Sequence, residues 1–174
     1  MAIKKILIIP DKILRKKSLP VEEVNKEIKD LLNDMLETMY NAPGIGLAAI
    51  QIGIPKRLVV MDLSKNPEKK EPMFFINPEI ISKSETMSSY EEGCLSIPNQ
   101  FAKIERPDSC QIKYLDFNGK TQEMRANGLL STCIQHEIDH LNGVLFIDYL
   151  SKLKKDIIVK KVSKQKKGQE RIVV

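Results

Sequence analysis

Residues 129–143 contain both histidines of the chain, His136 and His140, with Glu137 directly after the first. Residues four apart lie on the same face of an α-helix about one turn apart, so both imidazoles can reach one metal ion. Glu137 projects from nearly the same face, close enough to act on a water molecule held there. The pattern therefore predicts a metal-binding helix. It also occurs in proteins without a metal, where the two histidines are simply packed, and the motif alone leaves that alternative open.

The chain has the length and composition of one soluble globular domain, with 174 residues, 42% of them hydrophobic and 29% charged. We expect residues 1–174 to form a single catalytic domain in which 151–174 are a lysine-rich C-terminal helix and tail. No apolar run is long enough to cross a bilayer. Residues 6–9 are too short an apolar run for a signal peptide and are predicted to be a first strand. These features predict a cytoplasmic protein that binds neither membrane nor DNA.

Two further helices are predicted beside the histidine helix, which we place over 128–142. Residues 21–39 have apolar side chains at helical spacing and polar side chains between them, as an amphipathic helix does. Residues 150–167 have an incomplete apolar stripe and many lysines, which predicts a marginal surface helix ending in a disordered segment at 164–168. The small, apolar residues 44–53 are predicted to be a buried loop in which glycine lets the backbone run close to a ligand.

Short apolar or alternating segments separated by turns predict antiparallel strands rather than a parallel sheet. They cover residues 57–63, 73–76, 101–104, 109–117, 121–126 and 144–149. Asn118-Gly119 is a strong hairpin turn between two of them. Residues 79–89 alternate only weakly and are predicted to be an exposed strand or a hairpin. The predicted fold class is α+β, with antiparallel β-sheets packed around a central metal-binding helix, an N-terminal amphipathic helix and a C-terminal helix.

A catalytic metal site needs three protein ligands and one open position, and the chain has no third histidine. Cys133 lies seven residues before His140, about 10 Å along a helix, which is too far for a short side chain to share the ion. Cys94, in the segment 92–96, is the better candidate for the third ligand. Cys110, in an alternating strand, is expected to be a buried apolar residue.

Three separated motifs resemble the signature motifs of the peptide deformylase family. They are GIGLAAIQ at residues 44–51, EGCLS at 92–96 and QHEIDH at 135–140, in the family's order and at its usual spacing. The similarity extends over nearly the whole chain. The family removes the formyl group from the N-terminal formyl-methionine of nascent bacterial chains and releases formate. Ile50 stands where the family most often has proline, and Asn99 where glycine or glutamate is common, but neither change removes a functional residue.

The resemblance implies a catalytic mechanism for this chain. Cys94, His136 and His140 would hold a divalent metal ion with water in the fourth position. Glu137 would take the proton of that water and pass it to the departing amine.

The resemblance also implies the residues that stabilise and bind the substrate. The side-chain amide of Gln51 and the backbone N–H of Leu95 would stabilise the oxyanion of the tetrahedral intermediate. Residues that would bind the peptide are Ile45 and Gly46 along its backbone, Leu129 and Cys133 in the methionine pocket, and Arg106 near the groove.

The implied working metal is Fe²⁺, although a site of one thiolate and two imidazoles also accepts Zn²⁺, Ni²⁺ or Co²⁺. The implied substrates are N-formylmethionyl nascent peptides. The resemblance also suggests that the lysines of 151–174 make an electrostatic contact with the ribosome. The alternative is that these lysines form a solvated helix face.

Two other functions remain open at this stage. A zinc-dependent peptidase uses the same His-Glu-x-x-His helix, but it usually adds a ligand beyond that helix. A non-catalytic, metal-stabilised binding protein would need a fourth ligand, and the sequence has no convincing one.

Overall fold

The structure is a computed structural model that describes residues 1–172. Its elements in chain order are α1 (Lys26–Asn41), β1 (Gly46–Ala48), β2 (Leu58–Met61), β3 (Met73–Lys83), β4 (Met87–Cys94), β5 (Ile97–Pro107), β6 (Ser109–Leu115), β7 (Thr121–Asn127), α2 (Gly128–Leu141) and α3 (Lys152–Ile172). Short 3-10 helices cover Lys12–Arg15, Ala49–Ile52 and Phe146–Tyr149.

The strands form one antiparallel sheet in the order β1-β2-β3-β6-β7 and a separate antiparallel hairpin of β4 and β5. In β6 the side chains alternate, with Cys110 and Ile112 buried and Gln111 and Lys113 exposed, because successive residues of a strand point to opposite faces. The arrangement confirms the predicted α+β fold with antiparallel sheets.

The five-stranded sheet is covered on both faces, which β2 shows most clearly because all four of its residues are buried. Leu58 and Val60 face a cluster that includes α1, and Val59 and Met61 face a cluster that includes α2. Burial on both faces explains why this strand is apolar throughout rather than alternating.

Helix α1 begins after Asn25, whose side chain accepts a hydrogen bond of 3.0 Å from the backbone N–H of Ile28. Such a cap satisfies one of the free N–H groups of the first turn. The buried face of α1 includes Leu32, Met35 and Met39. The amphipathic N-terminal helix is therefore confirmed. It begins at Lys26, five residues after the predicted start at residue 21.

Helix α2 is central, because every residue from 131 to 141 except Asp139 is buried. Ile134 and Ile138 pack on the sheet. A buried helix needs partners for its polar side chains, and the amide of Gln135 accordingly donates to the carbonyl of Pro107 and to Ser131 Oγ, both at 2.9 Å. The helix can therefore carry polar chemistry inside the molecule.

Two segments predicted as strands have other conformations. Residues 6–8 have no regular secondary structure and Ile9 begins a turn. The segment makes single hydrogen bonds to two different parts of the chain, Leu7 N to Gln51 O and Ile9 N to Ser96 O, rather than a continuous ladder. In residues 144–149 the Asp148 carboxylate accepts from the backbone N–H of Leu145 at 3.0 Å, and the chain turns into a 3-10 helix.

The C-terminal helix α3 extends through residues 164–168, which the sequence predicted as a disordered end. Its buried residues Ile158 and Val162 join a core cluster with Ile97 and Leu145, which attaches the helix to the body of the molecule. Residues 173–174 of the predicted tail lie outside the described residues. Among residues 1–172, no helix has the combination of length and apolar character that a bilayer span requires.

Candidate metal centre

The two histidines of α2 converge as their spacing predicts. His136 Nε2 and His140 Nε2 lie 3.2 Å apart, and the rings meet edge to face with centroids 4.9 Å apart. The side chains are almost fully buried. Burial lowers the pKa of His140 well below its usual value, which keeps the imidazole neutral and its lone pair available for coordination.

Cys94 approaches the histidines from the end of β4. The pairing of β4 with β5 shifts register between Gly93 and Cys94, and the Sγ atom lies 3.3 Å from His140 Nε2. Within the described chain, one donor atom from each of these three side chains lies within 4.8 Å of the other two. The structure thus brings together the three residues predicted as ligands.

The donor spacing fits a tetrahedral divalent ion. Metal–nitrogen bonds of about 2.0–2.1 Å and a metal–sulfur bond of about 2.3 Å require separations of about 3.3 Å between two nitrogens and about 3.6 Å between nitrogen and sulfur. The observed 3.2 Å and 3.3 Å are close to these values. One thiolate and two imidazoles are also an ordinary donor set for such an ion.

Glu92 orients the first histidine. Its Oε2 atom lies 2.9 Å from His136 Nδ1, so that ring nitrogen donates to the carboxylate and Nε2 faces the centre. Burial opposes ionisation of Glu92, but hydrogen bonds from His136 and Arg106 outweigh it and hold the pKa of the carboxyl below its usual value. Sequence reasoning missed Glu92. The available signal was its position two residues before Cys94 on a strand, which places both side chains on one face.

Arg106 lies behind the centre rather than at the substrate groove. Its side chain is 3% exposed and binds Glu92 through Nε at 2.6 Å and Nη2 at 3.1 Å. Its Nη1 atom also donates to Asp139 Oδ2 at 2.8 Å, and Tyr149 OH donates to the same oxygen at 2.7 Å. The carboxylates of Glu92 and Asp139 occupy the guanidinium, and Arg106 does not line the cavity. The structure therefore supports a role for Arg106 in positioning Glu92 rather than the predicted contact with substrate.

Glu137 faces the same centre, and one oxygen of its carboxylate makes no hydrogen bond to the described residues. Among the described residues its Oε2 atom has no hydrogen-bond partner, and burial raises the pKa of the carboxyl to about 7. Gly46 of β1 leaves the space for it, because a Cβ atom there would lie 2.5 Å from Glu137 Oε1. The glycine is therefore required by a close approach.

Gln51 lies opposite α2 in the 3-10 helix that follows β1. Its Oε1 atom accepts from the backbone N–H of Ala48 at 2.9 Å, which orients the amide. Nε2 then donates to Ser96 Oγ at 3.1 Å and faces Cys94 Sγ at 3.5 Å. A buried amide donor thus points toward the metal centre.

A cavity of about 460 Å³ opens onto the centre. Its lining includes Ile45, Gly46, Gln51, Cys94, Leu95, Leu129, Cys133, His136 and Glu137. Burial raises the pKa of the Cys133 thiol to about 12, so this side chain is a neutral, apolar part of the wall. All predicted site residues except Arg106 and His140 line this cavity.

Because His136 and Cys94 face the cavity, a ligand or water could reach an ion held by these residues from that side, as in catalytic rather than structural metal sites. With the carboxylate of Glu137 facing the same cavity as a base for water, the site defines the class of metal-dependent hydrolases. The model of the polypeptide deformylase family matches residues 3–156. The chain belongs to that family, as its three motifs predicted.

Known proteins agree with this assignment over the full length. The peptide deformylase of Pelagibacter ubique is 62% identical over 100% of both chains. The crystal structure of peptide deformylase from Ehrlichia chaffeensis has a TM-score of 0.92 and 41% identity, covering 97% of this chain and 99% of that one. A class I type b peptide deformylase from Acinetobacter baumannii, solved with Met-Ala-Ser bound, has a TM-score of 0.81 and 31% identity over 86% and 99%. The predicted hydrolytic activity is confirmed, against the peptidase and binding-protein alternatives.

Proposed function

We propose that this hydrolase acts on N-formylmethionyl nascent peptides and releases formate. The observation that carries the proposal is the convergence of Cys94, His136 and His140 in a cavity that Glu137 and Gln51 also face. A water nucleophile, a base and an oxyanion donor are the requirements for hydrolysing a small amide.

Cys94, His136 and His140 would hold the ion. When bound, a divalent metal lowers the pKa of a water molecule and polarises a carbonyl oxygen. Glu137 takes the proton of the attacking water and then donates it to the departing methionine nitrogen. The unpaired Oε2 atom supports this role, because a carboxylate oxygen without a partner among the described residues is available to accept a proton.

Gln51 and Leu95 stabilise the negative charge that develops on the formyl oxygen. The Nε2 atom of Gln51 is held beside Cys94 Sγ by the bond from Ala48. Leu95 lines the cavity and directly follows Cys94, so its backbone N–H is adjacent to the same point. Oriented donors of this kind contribute to rate without reorganisation during the reaction.

The peptide binds along β1, which is an edge strand of the five-stranded sheet. Ile45 and Gly46 can therefore pair with an extended peptide by strand addition. Leu129 and Cys133 form an apolar slot suited to the unbranched methionine side chain. The Acinetobacter relative that binds Met-Ala-Ser supports a peptide of this kind in the cavity.

The test is formate release from formyl-Met-Ala-Ser by anaerobically prepared protein. Glu137→Gln is the matched control, because it keeps the size of the side chain and removes the base. We expect its kcat to fall by about 10²–10⁴-fold with metal content retained. No formate from the unaltered protein would contradict the proposal.

We propose Fe²⁺ as the working metal, on the basis of the family resemblance and the thiolate ligand, with Zn²⁺ a less active substitute. Protein loaded with Fe²⁺ should lose activity in air, and protein loaded with Zn²⁺ should not. Highest activity with Zn²⁺, unchanged by air, would show that the assignment is wrong.

We also propose that the lysines of α3 contact the ribosome. Lys160, Lys161 and Lys164 are exposed, whereas Ile158 and Val162 of the same helix are in the core. Substituting the three lysines with glutamate should weaken ribosome binding in a salt-dependent way while turnover of a free formyl-peptide continues. Substituting them with glutamine tests charge alone. Equal ribosome affinity of the glutamate variant would contradict the proposal.

A further inference from the structure

We propose that strand β7 is a self-association surface, along which two copies of this chain pair edge to edge and continue the five-stranded sheet across a two-fold axis. β7 is the last strand of that sheet, and its seven residues pair with β6 on one side only. The observation that carries the proposal is the order of charges along β7, because that order is complementary to itself in an antiparallel pairing.

The free edge of β7 is long and regular. The N–H and C=O groups of an edge strand can pair with a second chain, and proteins commonly prevent this with short edges, prolines, bulges or charges. β7 pairs with β6 over all seven residues without a register shift and contains no proline. β1, at the opposite edge, has only three residues. Only its charges could keep a second strand away from β7, and their arrangement has the opposite effect.

Two opposite charges on β7 have no partner in their own chain. Glu123 and Arg125 are exposed, and because they are two residues apart they point to the same face of the sheet. Neither forms an ion pair with the side chains that the structure describes. The hydrogen bond that Glu123 accepts from Gln111 Nε2 is long, at 3.5 Å. Both charges are therefore available to a second molecule.

A two-fold axis at Met124 places these charges opposite each other. In that register Glu123 faces Arg125 of the second copy, and Arg125 faces the second copy's Glu123, so that two ion pairs form. Directly opposite side chains of an antiparallel pair lie on one face with Cβ atoms about 4.5–5.5 Å apart, which is within reach of an ion pair. Centring the axis on Glu123 or Arg125 would instead place like charges opposite each other, which is unfavourable. The charges therefore select one register.

The other face of β7 fits the same register. Met124 is half-buried and packs against the core cluster that includes residues of α2. At the two-fold axis the two Met124 side chains lie opposite each other, and each Gln122 lies opposite Ala126 of the second copy. Contact between the two thioether side chains removes apolar surface from water. One isologous pairing thus satisfies both faces of the strand.

Such a dimer leaves the metal centre accessible in each copy. None of the residues of β7 lines the cavity, and β1, where the peptide is proposed to bind, is at the other edge of the sheet. A single pair of strands is a smaller interface than the about 1,200–2,000 Å² of stable complexes, so we expect a dissociation constant of about 10–100 µM. The dimer should therefore form only at high protein concentration.

The experiment is sedimentation velocity of the metal-loaded full chain at about 1–300 µM, a range that brackets the expected constant. The weight-average mass should rise with concentration from 19.8 kDa toward twice that value. Glu123→Arg places a cation opposite Arg125 of the second copy in both pairs, and Arg125→Glu does the same with anions. Each variant should weaken the dimer by about tenfold or more, because like charges directly opposite each other are destabilising.

Two recombined charge patterns test the register. In an equimolar mixture of Glu123→Arg and Arg125→Glu, the cations of one chain face the carboxylates of the other, so the mixture should associate within about threefold of the unaltered protein. The double variant, with both substitutions in one chain, should also recover the dimer. Glu105→Arg is the matched control, since it makes the same charge change at an exposed position of β5 and should leave the dissociation constant unchanged.

Circular dichroism should be the same for all variants, because the substituted side chains are exposed. A protein that stays monomeric over the whole concentration range would contradict the inference. So would a dimer that persists in both single variants, because it would use another surface. Loss of the dimer in both single variants, without recovery in the mixture or in the double variant, would show that the proposed register is wrong.

Discussion

Helix α2 and the β4–β5 hairpin both contribute ligands to the metal centre, but their ligands are positioned in different ways. In α2, His136 and His140 converge through helix periodicity alone. Cys94 comes from the hairpin, 46 residues before His140, and reaches the site only through packing. The helix is buried and its geometry is local, whereas the hairpin has an exposed face and depends on contacts such as that of Glu92 with His136. The centre should therefore be most easily disrupted from the side of the hairpin.

The largest effect should follow from removing the ligand of the hairpin. Cys94→Ala leaves only the two imidazoles as ligands. Loss of a contact that supports a ligand lowers metal affinity by about 10–100-fold, and we expect loss of the ligand itself to lower it further. Metal content after dialysis measures this, with circular dichroism to confirm folding. Cys133→Ala, which changes the cavity wall, should retain metal. Full metal occupancy of the Cys94 variant would show that the helix binds the ion alone.

The second prediction tests how closely β1 approaches the helix. Gly46→Ala places a methyl group 2.5 Å from Glu137 Oε1 and should displace the carboxylate. We expect kcat to fall about 10²-fold with metal retained, because misplacement of a catalytic group by about 1 Å has effects of that size. Gly168→Ala is the matched control, since a Cβ atom there meets nothing within 4 Å. Undiminished kcat in the Gly46 variant would contradict the prediction.

The third prediction separates a positioning role of Arg106 from a substrate contact. Arg106→Met leaves the buried carboxylate of Glu92 without its guanidinium partner. We expect metal affinity to fall about 10–100-fold, as for other changes behind a metal ligand. Competition with a chelator measures this. Tyr149→Phe, which removes one hydrogen bond to Asp139, should have a smaller effect. A raised KM with unchanged metal affinity would restore the substrate role.

The smallest effect is expected for a cluster of charged side chains around Asp148, which lies in neither helix α2 nor the β4–β5 hairpin. Asp148 binds Arg15 at 2.6 and 3.1 Å and Lys155 at 2.6 Å, and the pKa of its carboxyl is lowered to about 2 because these hydrogen bonds outweigh burial. Asp148→Asn should lower the free energy of unfolding by about 1–2 kcal/mol at pH 7.

The pH dependence of that effect follows from linkage. A lowered pKa in the folded state stabilises the protein above the unfolded value of about 4, and the contribution is lost as the pH falls toward about 2. The difference between wild type and Asp148→Asn should therefore narrow between pH 4 and pH 2 in urea unfolding. A constant difference would exclude the carboxylate as its source.

Local patterns were sufficient for much of the fold. The hairpin of β6 and β7 around Asn118-Gly119, helix α1 and helix α2 were predicted because each depends on neighbours in sequence. Residues 6–9 and 144–149 were predicted as strands and are not. Their conformations depend on distant or side-chain partners, such as the Ser96 carbonyl and the Asp148 carboxylate, which periodicity does not encode.

The sequence by itself determined the chemistry available to this protein. His136 and His140 are one helical turn apart by the geometry of the α-helix, with Glu137 beside the first, and the three motifs identified the family. Only the tertiary structure decided that Cys94 lies 3.3 Å from His140 and that Arg106 pairs with Glu92 and Asp139. The physical reason is distance along the chain. Contacts between neighbours follow from backbone geometry, whereas contacts between remote residues depend on how the whole core packs.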